Sequence, residues 1–491
     1  MRSNFYSIKK KLIVPVVLAQ FFLSQILSFY TFAQSSVINS MQDNMSAFGP
    51  GFSQGIETQA DASIINETAP KKKQNKSSGT QIDQTSASDK TYAHRRIIKT
   101  NVNADGLVAY EPEEVTHIFF HTLTVDPKRA YKSSEARGYN SNMATVDEFK
   151  KILQQLYDNN YCLVKLHDLC DIKYYNNGEV PSYEKKIATV SNLSSTEKPP
   201  LRNPNDPKVE KTYTPYETVR KKVYVPKGKS PLIISQDDVN YYHYMDGSGH
   251  ASRLVIENNK IKTAYKDKSG KELIGDYDLI PILDSFIEEH PDFSYNGAKA
   301  IIALTGYNGA FGYRTDETYD INSSYYKTSN KKAPNENIEE DREYARRIAK
   351  VLHDNGYEFA SHSWGHRNFR TSSFSILKTD CERWKRNVES LLPISCDTII
   401  YPFGADIAGE EAYTDEVSRF TMLKNFGFRY FCNVDSNMYW VQIGNDYLRQ
   451  GRRNIDGFRM WEALSGGKNR LSDLFDVLSV FDTNRPTPIS Q

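Results

Sequence analysis

The sequence predicts an α/β fold: a distorted parallel (β/α) barrel of about seven strands behind a disordered N-terminal segment. Three observations carry this expectation. Helix, stop and apolar strand follow one another several times, the order produced by parallel strands joined through helical crossovers. The apolar runs suit a closed barrel better than an open sheet. The side chains with useful chemistry fall just past those runs, where a parallel barrel keeps its active site.

Taken in order, Lys9, Lys10 and Lys11 precede an apolar stretch from Leu12 to Ala33. Residues 1–33 therefore read as a signal peptide or a membrane anchor, with Thr31-Phe32-Ala33 an acceptable cleavage site. Membrane contact is expected through this segment only, with the folded part secreted or held outside the cytoplasm. From Gln34 to Gly106 the chain is rich in Ser, Asn, Gln, Lys and Thr. Such a composition buries too little apolar surface to offset chain entropy, so 34–106 reads as a disordered polar spacer.

The folded domain is expected over 107–486. "VTHIFFHTLTVD" reads as a strand ending at His121. Thr145 and Glu148 then form a capping box, and Phe149, Ile152, Leu153 and Leu156 share one face of the helix that follows. It stops at Asn159-Asn160 before the strand "YCLVKL". Residues 174–229 are polar and proline-rich, an insertion between core units. "PLIIS" is a strand, "SRLVIENNKIKTAY" a small hairpin over the barrel mouth, and "IPILDSFIEEHPDF" a helix leading into the strand "AKAIIALTG". A helix over Ile338–Asn355 stops at Gly356 before "YEFAS", and "DTIIYP" is another strand. A helix over Asp415–Phe426 stops at Gly427 before "FRYFCNV".

Composition narrows the function. Of 491 residues, 39% are hydrophobic, enough for a sizeable core, and the formal net charge is +1. That balance gives no electrostatic reason to expect a nucleic-acid partner. The five cysteines contain no CxxC pair, so a cysteine zinc site is not expected; a Cys162–Cys170 disulfide stays open.

Asp237 and Asp238 follow "PLIISQ", and His362 and His366 follow "YEFAS". Two neutral imidazoles and one carboxylate make a facial set for a divalent ion, leaving positions for water and substrate. Histidines four apart project together if a helical turn begins there. A second carboxylate beside the ion can take a proton from water. Pro402-Phe403-Gly404 and Asp435 fall on the same rim. Each piece alone is weak, since an Asp-Asp step is most often a solvated turn; their shared rim placement is the stronger signal.

With these residues in view, the chain resembles the polysaccharide deacetylases with a NodB-homology domain, carbohydrate esterase family 4, over about Glu111 to Pro486. Ser235-Gln236-Asp237-Asp238 resembles the family's Thr-Phe-Asp-Asp motif. His362-Ser363-Trp364-Gly365-His366 matches its His-Ser/Thr-x-x-His, and Pro402-Phe403-Gly404 its Pro-Tyr/Phe-Gly. The resemblance implies Asp237 as general base and Asp238, His362 and His366 as ligands of a divalent metal, with zinc the expected ion. It also implies an oxyanion site at Pro402, Phe403 and Gly404, and hydrolysis of N-acetyl groups on an extracellular amino-sugar polysaccharide such as peptidoglycan. Gln236 departs from the usual aromatic. No arginine precedes Pro402; Arg314, Arg429 and Arg453 are candidates to orient the base. No histidine follows His366, so the family's C-terminal acid is missing, and Phe481 and Asp482 stand there. His121 is the candidate acid by position. The alternatives are a catalytically impaired glycan-binding relative, or an O-acetyl esterase on the same fold.

Overall fold

Seven parallel strands close into a ring whose spatial order is their order along the chain: β1 (Thr116–Phe120), β2 (Ser230–Gln236), β3 (Ile301–Leu304), β4 (Glu358–Ser361), β5 (Thr398–Ile400), β6 (Tyr430–Val434) and β7 (Leu448–Asn454). The ring closes where Arg453 and Asn454 of β7 pair with Ile118 and Phe119 of β1. The computed structural model describes residues 96–174, 206–207, 216–328, 333–409, 411–437 and 439–490. The expected leader (1–33), the spacer as far as residue 95 and most of the insertion over 174–229 lie outside the described residues.

Six of the seven barrel strands lie in the apolar runs read from the sequence. The seventh does not. "YCLVKL" yields Tyr161–Leu163, a short strand that pairs with Ser230–Leu232 at the entry of β2, outside the ring. The missing member is β7, Leu-Arg-Gln-Gly-Arg-Arg-Asn, with every residue buried. Burial of charge normally excludes such a strand. Here each arginine is matched: Arg449 with Asp406, Arg452 with Asp237, Arg453 with Asp473.

Alternation sorts the side chains of β2. Leu232 and Ile234 face the helical layer, while Ile233 and Ser235 face the barrel interior with Ala303, Ile400 and Cys432. The helices of eight or more residues are α1 (Val146–Asp158), α2 (Leu279–Glu289), α3 (Ile338–Asp354), α4 (Phe374–Asn387), α5 (Ser418–Asn425) and α6 (Gly457–Leu464). The capping box of α1 forms: Glu148 N–H donates to Thr145 Oγ1 at 3.1 Å, and Glu148 accepts from Thr145 N–H at 2.7 Å. Gly356 ends α3 at φ 93°, where an added Cβ would lie 2.0 Å from the Gly297 carbonyl, so no other residue fits.

The expected hairpin gains a third strand: Ala251–Glu257, Lys260–Lys266 and Glu272–Gly275 form an antiparallel sheet. It packs against α2 and α3. Residues 96–106, expected in the spacer, belong to the folded unit. Tyr110 Oη and Ser230 Oγ both donate to the Ile97 carbonyl, and Val102 bridges Val108. All five cysteines are free and buried, Cys162 and Cys170 included. Among the described residues no helix is long and apolar enough to cross a membrane.

Candidate active site

The C-terminal ends of the strands bring four of the expected residues into one cluster. His362 Nε2 lies 4.0 Å from Asp238 Oδ1, and His366 Nε2 lies 3.9 Å from Asp238 Oδ2. One donor atom from each of Asp238, His362 and His366 falls within 4.8 Å of the others. Asp237, next in the chain, points at a different partner. Arg452 grips its carboxylate with two bonds, Nη1 to Oδ1 at 2.8 Å and Nη2 to Oδ2 at 2.9 Å.

The backbone makes this divergence possible. Asp238 sits at φ 61°, in the left-handed region, so neighbouring carboxylates on one strand end aim apart. Ser363, His366 and Phe403 share that region, at φ 63°, 51° and 61°. Each such residue costs on the order of 1–3 kcal/mol and persists only where its surroundings enforce it. Asp380 of α4 is the enforcing group for the histidine loop. It accepts from Trp364 N–H at 2.8 Å and Gly365 N–H at 2.7 Å. The expected helical turn between His362 and His366 is absent: two left-handed residues forbid it, and the imidazoles converge through a loop tied to Asp380.

The donors are in the forms a metal needs. His362 Nδ1–H donates to the Ile400 carbonyl at 2.8 Å, which leaves the lone pair on Nε2. Burial pushes the His366 imidazole down to about 4, against the opposing pull of Asp238, so it is neutral at ordinary pH. Burial alone would raise the Asp238 carboxyl; the surrounding imidazoles of His366, His362 and His121 outweigh it and hold Asp238 low. The same contest at Asp237 is won by Arg452, with His362 and His121 behind it, and the carboxyl is held at about 2. Tyr242 Oη donates to Asp238 Oδ1 and bonds Thr305 Oγ1 at 2.8 Å, fixing one ligand from outside the cluster. By donor type, protonation and spacing, these three residues fit a divalent ion.

No family model matches the chain, and no curated protein matches it in sequence. Among solved structures, those it is similar to include the following three. The Streptococcus pyogenes deacetylase PplD in complex with acetate is 12% identical, with 72% of this chain and 95% of that chain covered and a TM-score of 0.30. A de-N-acetylase from Aggregatibacter actinomycetemcomitans is 11% identical, with 74% and 99% covered and a TM-score of 0.33. IcaB from Ammonifex degensii is 8% identical, with 71% and 94% covered and a TM-score of 0.29. Likeness of this size decides nothing about chemistry, which has to come from the site itself.

The remaining expected residues divide. His121 directly follows β1, its ring edge-on to Phe119 at 5.7 Å between centroids. Its Nδ1–H donates to the Asn142 carbonyl at 3.0 Å, which leaves Nε2 outside that bond. Pro402, Phe403 and Gly404 form a tight turn after β5, with the Phe403 ring edge-on to His366 at 4.4 Å between centroids. A Cβ on Gly404 would fall 2.7 Å from Val434 Cβ, so the turn packs directly on β6. Asp435 is engaged in its own turn, accepting from Trp440 Nε1–H and Asn437 N–H. The tail does not reach the cluster; Asp482 N–H donates to Glu148 of α1 on the outside of the barrel.

None of the three candidate arginines bonds Asp237. Arg314 bonds the Asn308 and Tyr241 carbonyls, Arg429 the Lys424 and Phe428 carbonyls, and Arg453 the Asp473 carboxylate. The arginine that grips Asp237 is Arg452, whose neighbour in sequence points outward where it points inward. Arg452, Asp380 and Tyr242 escaped the sequence reading. Only Tyr242 left a trace, in the aromatic run "NYYHY" directly after the paired aspartates.

Proposed function

We propose that the chain is a divalent-metal-dependent hydrolase that removes N-acetyl groups from an amino-sugar polysaccharide. The observation that carries the reading is the convergence of Asp238, His362 and His366 beside an arginine-clamped Asp237. A divalent ion held there, zinc foremost, would polarise the acetyl carbonyl and lower the pKa of water. Asp237, ionised at any working pH, takes the proton of the attacking water. Arg452 holds that carboxylate in one orientation, so no search over rotamers precedes the transfer. The backbone at Phe403, whose ring sits against His366, is the donor we assign to the developing oxyanion. His121, with Nδ1 committed to Asn142, delivers a proton from Nε2 to the leaving amine. The sequence adds the setting: a leader or anchor over 1–33 would export the domain to an extracellular glycan.

The test is acetate release from N-acetylglucosamine oligomers by chelator-stripped protein, with and without added divalent ion. Release that requires the ion and falls by about 10²–10⁴-fold in Asp237→Asn supports the assignment. Release that persists in the stripped protein, or none under any metal, overturns it.

A further inference from the structure

Between the segments that follow β1 and β2 lies an open cleft of about 530 Å³ lined by Lys128, Arg129, Lys132 and Lys268, with Gly247 and Ser248. We propose that this cleft binds an anionic group on the glycan, so that the substrate is a polysaccharide bearing phosphate or carboxylate; the inference rests on the deacetylase reading.

Charge is the first argument. The whole chain is nearly neutral, at +1, yet four cations meet here. Lys128 and Lys132 are exposed, the first on the short helix Pro127–Ala130 and the second just past its end, and neither has an ion-pair partner among the described residues. Cations gathered on one wall raise the local potential, which a bound anion would lower. Among the described residues the ion-pair partner of Lys268 is Asp126, at 3.9 Å.

Construction is the second. Arg129 acts as a strut: it donates to the Lys266 carbonyl at 2.8 Å, to Tyr265 Oη at 3.3 Å and to the Gly247 carbonyl. It thereby joins the three segments that line the cleft. Val125 and Asp126 N–H groups both donate to the Gly249 carbonyl, at 2.9 and 3.0 Å. A Cβ on Gly249 would sit 2.6 Å from the Asp126 carbonyl, so the two loops meet at a glycine. The lysines therefore stand on a braced frame.

Position is the third. The cleft's walls are the loops that follow β1 and β2, the same loops that begin with His121 and with Asp237 and Asp238. Ala130 and Met245 from those walls pack in one cluster with Tyr139, Met143 and Tyr242, and Tyr242 holds the Asp238 carboxylate. A glycan with its acetamido group over the cluster would extend toward the lysines. Exposed lysines acting together favour an anion by a field that salt screens within about 8–10 Å.

The experiment uses the full, metal-stripped chain and three probes: a neutral N-acetylglucosamine tetramer, the same tetramer O-phosphorylated, and a tetramer with a carboxylate-bearing sugar. Binding is read by calorimetry at low and high salt. We expect at least one anionic probe to bind about tenfold tighter than the neutral one at low salt, with the advantage shrinking at high salt. In K128A/K132A/K268A, checked for an unchanged unfolding midpoint, that preference disappears. Preference for phosphate alone or carboxylate alone identifies the source of the charge. Equal binding of all three probes, or a preference that survives the triple substitution, overturns the proposal. Because turnover is not read, failure here is distinct from failure of acetate release, which would remove the deacetylase reading instead.

Discussion

β2 and β7 occupy equivalent places in the same ring, and they are built on opposite principles. β2 is Ser-Pro-Leu-Ile-Ile-Ser-Gln, stabilised by burying apolar surface; β7 is Leu-Arg-Gln-Gly-Arg-Arg-Asn, equally buried. Taking a guanidinium out of water costs several kcal/mol unless a carboxylate and further hydrogen bonds meet it. β7 meets that cost three times, with Asp406, Asp237 and Asp473. Its two outward ion pairs tie the barrel to surrounding loops. Its inward pair lies at the rim and fixes the candidate base supplied by β2. A strand can thus be conventional in shape and still have its composition set by the site it serves.

The largest test of that contrast is Arg452→Ala. Leaving Asp237 buried and unpaired should cost about 3–5 kcal/mol of stability and abolish acetate release. Arg453→Ala breaks an outward pair of similar burial, so it should lower stability comparably while the folded fraction keeps its turnover. Denaturant unfolding and initial rates on the two variants separate the structural cost from the catalytic one. Asp237→Asn comes next: turnover should fall by about 10²–10⁴-fold with bound metal retained, measured by acetate release and metal analysis on one preparation.

A third test uses His117, the imidazole that joins the two strands inside the barrel. It bonds Ser235 of β2 at 2.9 Å and Gln450 of β7 at 2.8 Å. Burial, then the Arg452 charge, hold its pKa well below the ordinary value. The unfolded chain takes up a proton below a pH of about 6.5 that the folded chain refuses. Stability should therefore fall as pH drops below that value, and His117→Gln should flatten the slope. Unfolding midpoints against pH in chelator check this. Asp237 does not interfere: its depressed pKa gives stability that is complete above the ordinary carboxylate range and lost only toward pH 2. The smallest effect belongs to the apolar strand. Ile234→Val in β2 should cost about 0.5–1.5 kcal/mol and leave acetate release unchanged.

The same contrast explains what could be read from the sequence. Six barrel strands announce themselves because parallel strands buried on both faces are apolar runs. The stops at Gly356 and Gly427 and the capping box at Thr145 are local chemistry and appear as read. The cluster of Asp238, His362 and His366 was legible because its members lie in two short motifs. β7 was not legible, because hydropathy sees arginine as surface and the carboxylates that neutralise it lie 20 to 215 positions away in the chain. Asp380 was hidden for the same reason: it sits on α4 like any helix aspartate, and only the fold turns it onto the histidine loop. The helical turn expected between His362 and His366 fails because backbone strain enforced by Asp380, and not helix periodicity, brings the two rings together.

The most direct test of the whole account is bound divalent metal per chain after dialysis, measured on wild type, Asp238→Ala, His362→Ala and Asp237→Asn. The account predicts one ion in wild type and in Asp237→Asn, and loss of that ion in the other two. A wild-type chain that holds no ion, or an ion that stays when His362 is removed, would contradict it.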